Sequence, residues 1–89
     1  MKLTQTGVGQ TINAAAIRES RGTSVLPFQV QVEGTATYRI LGRVDGSAPW
    51  LELREPASEG FLEGFTWVPY VQLEVTSGDG TVHLWIGEA

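Results

Sequence analysis

Residues 35–55 read T-A-T-Y-R-I-L-G-R-V-D-G-S-A-P-W-L-E-L-R-E, and the fold class follows from their spacing. Tyr38, Ile40 and Val44 share one parity, and Leu51 and Leu53 share one on the return. A pleated strand sends alternate side chains to opposite faces, so each set lies on one face. Residues 45–49 between them carry turn chemistry. Asp45 and Ser47 can bond nearby backbone, Gly46 accepts positive φ, and Pro49 ends the ladder. Pairing Val44 with Leu51 sets Asp45 opposite Trp50 and leaves the loop 46–49. That register keeps both apolar sets on one side, as a hairpin requires.

The same alternation continues on both sides. Upstream, Phe28, Val30 and Val32 alternate with Gln29, Gln31 and Glu33, a half-buried strand with Pro27 just ahead of it and Gly34 turning out of it. Downstream, residues 56–60 read as a loop. A strand over 61–68 follows, with Phe61, Phe65 and Trp67 on one parity and Gly64 marking a bulge. Then Val71, Leu73 and Val75 precede Ser77-Gly78-Asp79-Gly80, and Val82, Leu84 and Ile86 follow it. A two-residue turn at Gly78-Asp79 predicts a hairpin pairing Val75 with Val82, Leu73 with Leu84 and Val71 with Ile86. These strands, joined by one or two from the N-terminus, predict a small antiparallel β-sandwich or compact barrel of about seven to eight strands.

Residues 1–24 differ in texture and read as an N-terminal arm, partly extended, with residues 25–89 as the sandwich core. Residues 2–6 suit an edge strand, with 7–9 turning into a second short one. Asn13 could cap a helical stretch over 13–19, but that stretch is too short to stand without packing. An extended arm held by its neighbours is the expectation. The Gly7-x-Gly9 pair lacks the flanking strand and helix of a phosphate loop.

Composition bounds the function. The chain has 89 residues, enough for one domain, with 42% hydrophobic and 18% charged residues. It contains no Cys, so neither a disulfide nor a thiolate metal site enters. Small unstapled domains often gain stability by associating with copies of themselves. A net charge of −4 argues against nucleic acid as a partner. Residues 1–54 hold all six bases and four acids (+2), and residues 55–89 hold six acids and no base (−6). No apolar run reaches a membrane span, and residues 4–10 are polar where a signal peptide is apolar. A soluble protein made in a cytoplasm is expected.

Candidate chemistry is sparse. His83 falls across from Glu74 in the predicted hairpin, with Thr81 and Thr76 as the near hydroxyls, which reads as a surface pair on a flat face. The carboxylate pairs Glu59 with Glu63 and Glu52 with Glu55 lack a cleft, and read as solvated acids. The loops at Asp45 and Asp79 carry too few acids for calcium. No catalytic residue, cofactor or metal site is assigned. The aromatic residues point elsewhere. Trp85 faces outward beside Gln72, Tyr70 ends that same face, and Trp50 points away from Leu51 and Leu53. Exposed Trp and Tyr bury large area at low entropic cost, so Trp85, His83, Tyr70, Trp50 and Gln72 form the candidate interface. Such rings serve a protein contact or a sugar platform, unless the arm or a second sheet covers them.

The run G-R-V-D-G-S-A-P-W at residues 42–50, leading into L-E-L, resembles a turn motif of small β-structured virion proteins of tailed bacteriophages. The preceding F-Q-V-Q-V-E-G-T-A-T and the closing T-S-G-D-G-T-V-H-L-W-I are similar in texture, so the likeness spans residues 27–86. Its distinctive part is D-x-x-A-P-W. The resemblance implies a non-enzymatic virion structural protein, first of all a capsid decoration or cement protein bound to a repetitive protein lattice. Its expected partners are the major capsid or another virion protein and copies of itself, with a trimer favoured. It would reside in the virion after synthesis in the host cytoplasm, with no nucleic-acid or membrane partner. A phage neck or tail component, or a small carbohydrate-binding module, is the alternative.

Overall fold

The computed structural model describes residues 1–18, 25–53 and 62–87. Eight strands follow in chain order: β1 (Lys2–Thr6), β2 (Gly9–Ile12), β3 (Val25–Glu33), β4 (Ala36–Arg43), β5 (Leu51–Glu52), β6 (Leu62–Thr66), β7 (Tyr70–Gly78) and β8 (Thr81–Ile86). They form two four-stranded antiparallel sheets, ordered β1-β8-β3-β6 and β2-β7-β4-β5, packed face to face. The protein is an all-β sandwich, as the alternation predicts. The predicted loop 56–60, Phe61, Glu55 and Glu59 lie outside the described residues, as does the Glu19 end of the stretch 13–19.

One expected pairing is overturned. β7 and β8 do not form a hairpin ladder: β7 pairs with β2 and β4, and β8 pairs with β1 and β3. The turn carries the chain from one sheet to the other. Val71, Leu73 and Val75 therefore meet Val82, Leu84 and Ile86 across the core, and all six are at most 1% exposed. Alternation specifies which face is apolar, and a facing sheet satisfies that face as well as an adjacent strand does.

The same corner recurs. β1→β2 crosses between sheets through residues 7–8, β3→β4 through 34–35, and β7→β8 through 79–80, all at one pole. Sheets pack about 10 Å apart, near the limit of what two linking residues can span. The corners bond to each other, with Gly7 N donating to Gly80 O at 3.0 Å and Gly80 N to Thr35 O at 2.9 Å. At two of the corner glycines there is no room for a side chain. A Cβ on Gly78, whose φ is +94°, would lie 2.3 Å from Thr35 O, and one on Gly80 would lie 2.5 Å from Glu33 O.

Phe28, Val30 and Leu26 of β3, Tyr38 and Ile40 of β4, Leu3 of β1 and Ile17 complete the core. Full burial of each Val, Leu, Ile or Phe contributes about 1.5–3 kcal/mol. The two stretches of the N-terminal region with strand spacing become edge strands, one in each sheet. Asn13 is not a helix cap. Buried, it accepts Val71 N at 2.7 Å, donates to Pro69 O at 3.1 Å and also donates to Ala15 O. Four residues on, Ile17 N donates to Pro69 O at 2.9 Å and Ile17 O accepts the Trp67 indole N–H at 3.1 Å.

The β4–β5 register also differs from expectation. Gly42 pairs with Leu51 and Leu41 with Glu52, so β4 ends at Arg43 and residues 44–50 form a longer loop. Val44 and Leu51 lie outside the core at 73% and 68% exposure, while Leu53 packs against it. The reason is local. Asp45 O accepts Ala48 N at 3.1 Å and Asp45 Oδ2 accepts Ser47 N at 3.0 Å, closing a turn one position beyond Val44. The ladder is unbroken through Gly64, which faces Pro27. The irregularity falls instead beside Thr37 and Tyr38, which face Ser77 and Val75 and leave Thr76 bulged.

Candidate interaction faces

The outward face of the first sheet is built by register from three strands. Lys2, Trp85 and Gln29 form one row across β1, β8 and β3. Thr4, His83 and Gln31 form the next, and Thr6, Thr81 and Glu33 the third. Lys2, Thr4, Thr6, Gln29, Gln31 and Glu33 are exposed. His83 is not across from Glu74, which lies on the other sheet. Its Nδ1 sits 3.2 Å from Thr4 Oγ1 and its Nε2 sits 3.4 Å from Glu33 Oε2. Thr6 and Thr81 hydroxyls bond at 2.9 Å. The Lys2 ammonium lies 5.0 Å from the Trp85 ring centre, and the His83 ring lies 5.7 Å from it.

Hydroxyl, imidazole and carboxylate thus stand in a line, but on a surface unsuited to acyl transfer. Ladder strands direct their N–H groups in the plane of the sheet toward neighbours, so they do not form a donor pair aimed at an oxyanion above it. The groups form a polar outward surface. Among the described residues, no three His, Cys, Asp or Glu side chains gather as a metal site, and no helix is long and apolar enough to cross a membrane.

The second sheet carries the other predicted aromatics. Arg43 pairs with Tyr70 in the β4–β7 ladder, and Trp50 lies one step past the Gly42–Leu51 pair. The Arg43 guanidinium sits 4.2 Å from the Trp50 ring centre and 5.6 Å from that of Tyr70. Cation–π contacts of this kind contribute about 0.5–1 kcal/mol at exposed sites. Along the same face Arg39 Nε meets Glu74 Oε1 at 2.6 Å, and Gln72 Nε2 donates to Gln10 Oε1 at 3.1 Å. Arg39 and Glu74 come from the basic and acidic halves, so at this pair the sheet interleaves the two charges. Gln72 is buried, as is Leu41, although both are outward by parity. Among the described residues, buried Arg43 Nε and Gln72 Oε1 have no hydrogen-bond partner. This face is the more closed of the two.

The five predicted interface residues therefore do not share a surface. Trp85 and His83 lie on the first sheet, and Tyr70, Trp50 and Gln72 on the second, so Trp85 is not beside Gln72 and Tyr70 does not end its face. Alternation found Trp85 and His83 correctly as outward residues. It could not find Lys2, Thr4 or Glu33 as their neighbours, since these are brought in by pairing between distant strands. Trp85 and Trp50 each also have a cation over one ring face, which leaves less bare aromatic surface for a stacked sugar.

At the pole opposite the glycine corners, a cleft of about 260 Å3 opens beside Trp85, with Met1, Pro27, Gln29 and Gly87 among its walls. No protein-family model, curated protein or solved structure matches this chain.

Proposed function

We propose that this chain is a non-enzymatic structural protein of a tailed-bacteriophage virion, a capsid decoration protein that binds a repetitive protein lattice. The observation that carries the reading is the first sheet's open face, polar at its centre and bounded at one end by Trp85 and its cleft. A flat face with a single aromatic anchor suits a contact repeated over many copies better than it suits turnover. The likeness of residues 42–50 to virion proteins supports the same reading. In this chain the D-x-x-A-P-W turn closes on Asp45 and delivers Trp50 to Arg43. Copies of the chain associate with each other, with a trimer as the expected state.

The test is to count this chain in purified virions of the phage that encodes it, by quantitative mass spectrometry. A copy number in simple proportion to the major capsid protein is expected, and Trp85→Ala should lower it while leaving the thermal unfolding midpoint near wild type. A copy number far below that of the lattice would move the protein to the neck or tail. Absence from the particle would overturn the virion reading altogether.

A further inference from the structure

We propose that the cleft beside Trp85 is an anchor pocket for one apolar side chain of the partner protein, presented by a segment that carries a carboxylate next to that side chain. This rests on the lattice-binding reading and names the chemistry of its contact.

The cleft arises from a row of missing side chains. Beyond Trp85 the next outward position on β8's path is Gly87, and beyond Gln29 on β3 it is Pro27. Pro27 pairs in turn with Gly64 of β6. Gly87 and Pro27 thus hold nothing taller than a proline ring, next to a row headed by a tryptophan, whereas the space over Gly64 is taken by the Val25 side chain, whose Cγ1 a Cβ there would meet at 2.8 Å. Gly87 is held down: its N–H donates to Pro27 O at 2.8 Å, and a Cβ there would lie 2.6 Å from Pro27 Cγ. The step is therefore a fixed feature of the backbone rather than a gap left by a side-chain rotamer.

Size and polarity define the occupant. A cavity of about 150 Å3 already accepts a benzene ring. At about 260 Å3 the cleft accommodates one leucine- or phenylalanine-sized side chain against the Trp85 ring. Burying such a group in a pocket is how a few interface residues come to dominate affinity. Among the described residues, the charge beside the Trp85 ring is positive. Lys2 is exposed and poised over the Trp85 ring, while Glu33, the carboxylate in the three rows described above, stands two rows away beside His83. An incoming carboxylate meets an ammonium at the pocket mouth, and an incoming ammonium would be repelled there. The Gln29 amide in the same row can bond the backbone between the two groups.

The probes are 3-phenylpropionate and its neutral amide, titrated into the full-length protein at low salt while the Trp85 indole and Gly87 amide signals are followed by NMR. Both probes should give saturable shifts at these two positions. The carboxylate should bind about two- to five-fold tighter, the range an exposed ion pair supplies. Lys2→Gln should equalise the probes without loss of the shifts, and Trp85→Ala should abolish saturation while the remaining amide spectrum stays folded. No saturable shift in the wild type overturns the pocket, and equal binding of the two probes overturns the acidic occupant. The two readings fail separately. A chain absent from virions that still binds the probe keeps the pocket, and a virion component blind to the probe loses it.

Discussion

Asn13 joins the first strands to the start of β7 through one side chain, whose oxygen takes the Val71 N–H and whose nitrogen serves Pro69 O and Ala15 O. Truncation to alanine leaves a buried N–H without its acceptor. We expect Asn13→Ala to cost about 2–3 kcal/mol in urea unfolding, with an unchanged m-value. A loss under about 0.5 kcal/mol would mean that the site rehydrates freely. In the sequence this residue looked like a helix cap, because the capping pattern is local and two of its partners, Val71 and Pro69, lie more than fifty positions away. Asp45 was legible as a turn residue for the opposite reason, since its partners are its neighbours. The Ser47 hydroxyl and then the Ser47 N–H hold its carboxyl below the ordinary carboxylate range. A carboxylate with a lowered pKa stabilises the fold above its unfolded pKa, and that contribution disappears as pH falls through the folded value. Ser47→Ala should therefore move the Asp45 titration upward toward the ordinary range, read from the Asp45 side-chain carbon shift. An unmoved midpoint would remove Ser47 as the cause.

Among the elements, the two-residue corners bear most on stability. Gly78→Ala forces an L-residue to a φ of +94° and drives its Cβ into Thr35 O, so we expect a loss of at least about 2 kcal/mol. Gly46 has open space around its Cβ position and makes the natural control. Gly46→Ala should be neutral or slightly stabilising, through the less free unfolded chain. Equal effects at the two sites in thermal melts would refute the corner argument. These corners also explain what alternation could and could not convey. Val71, Leu73, Val75, Val82, Leu84 and Ile86 were readable as inward, because burial depends on parity. Their partners were not, because a Gly-Asp turn of this length serves a hairpin and an inter-sheet corner alike, and the difference lies in how β3 and β4 insert on either side.

At the scale of the molecule, the Cα radius of gyration of 12.4 Å lies near the roughly 12 Å expected for a compact chain of this length. Each strand's ladder partners are remote in sequence apart from the short β4–β5 pair. Such a topology must close long loops before its contacts form. Refolding followed by Trp fluorescence should take milliseconds to seconds, and a microsecond phase carrying the full amplitude would contradict this topology. The candidate site follows the same logic. Its residues were visible singly as outward aromatics and a histidine, and the division between two faces appeared only with the sheet order.

The first described residue and the end of β8 close the same ladder, Ile86 N donating to Met1 O at 2.8 Å, at the pole away from the glycine corners. Met1 and Gly87 therefore lie at the same pole of the sandwich. Joining the ends by a short linker would make a ring whose chain can be reopened at the exposed 44–50 loop. The sandwich in this sense behaves as a plug whose leads, Met1 and Gly87, sit together, away from the pole stitched by Gly7, Thr35 and Gly80.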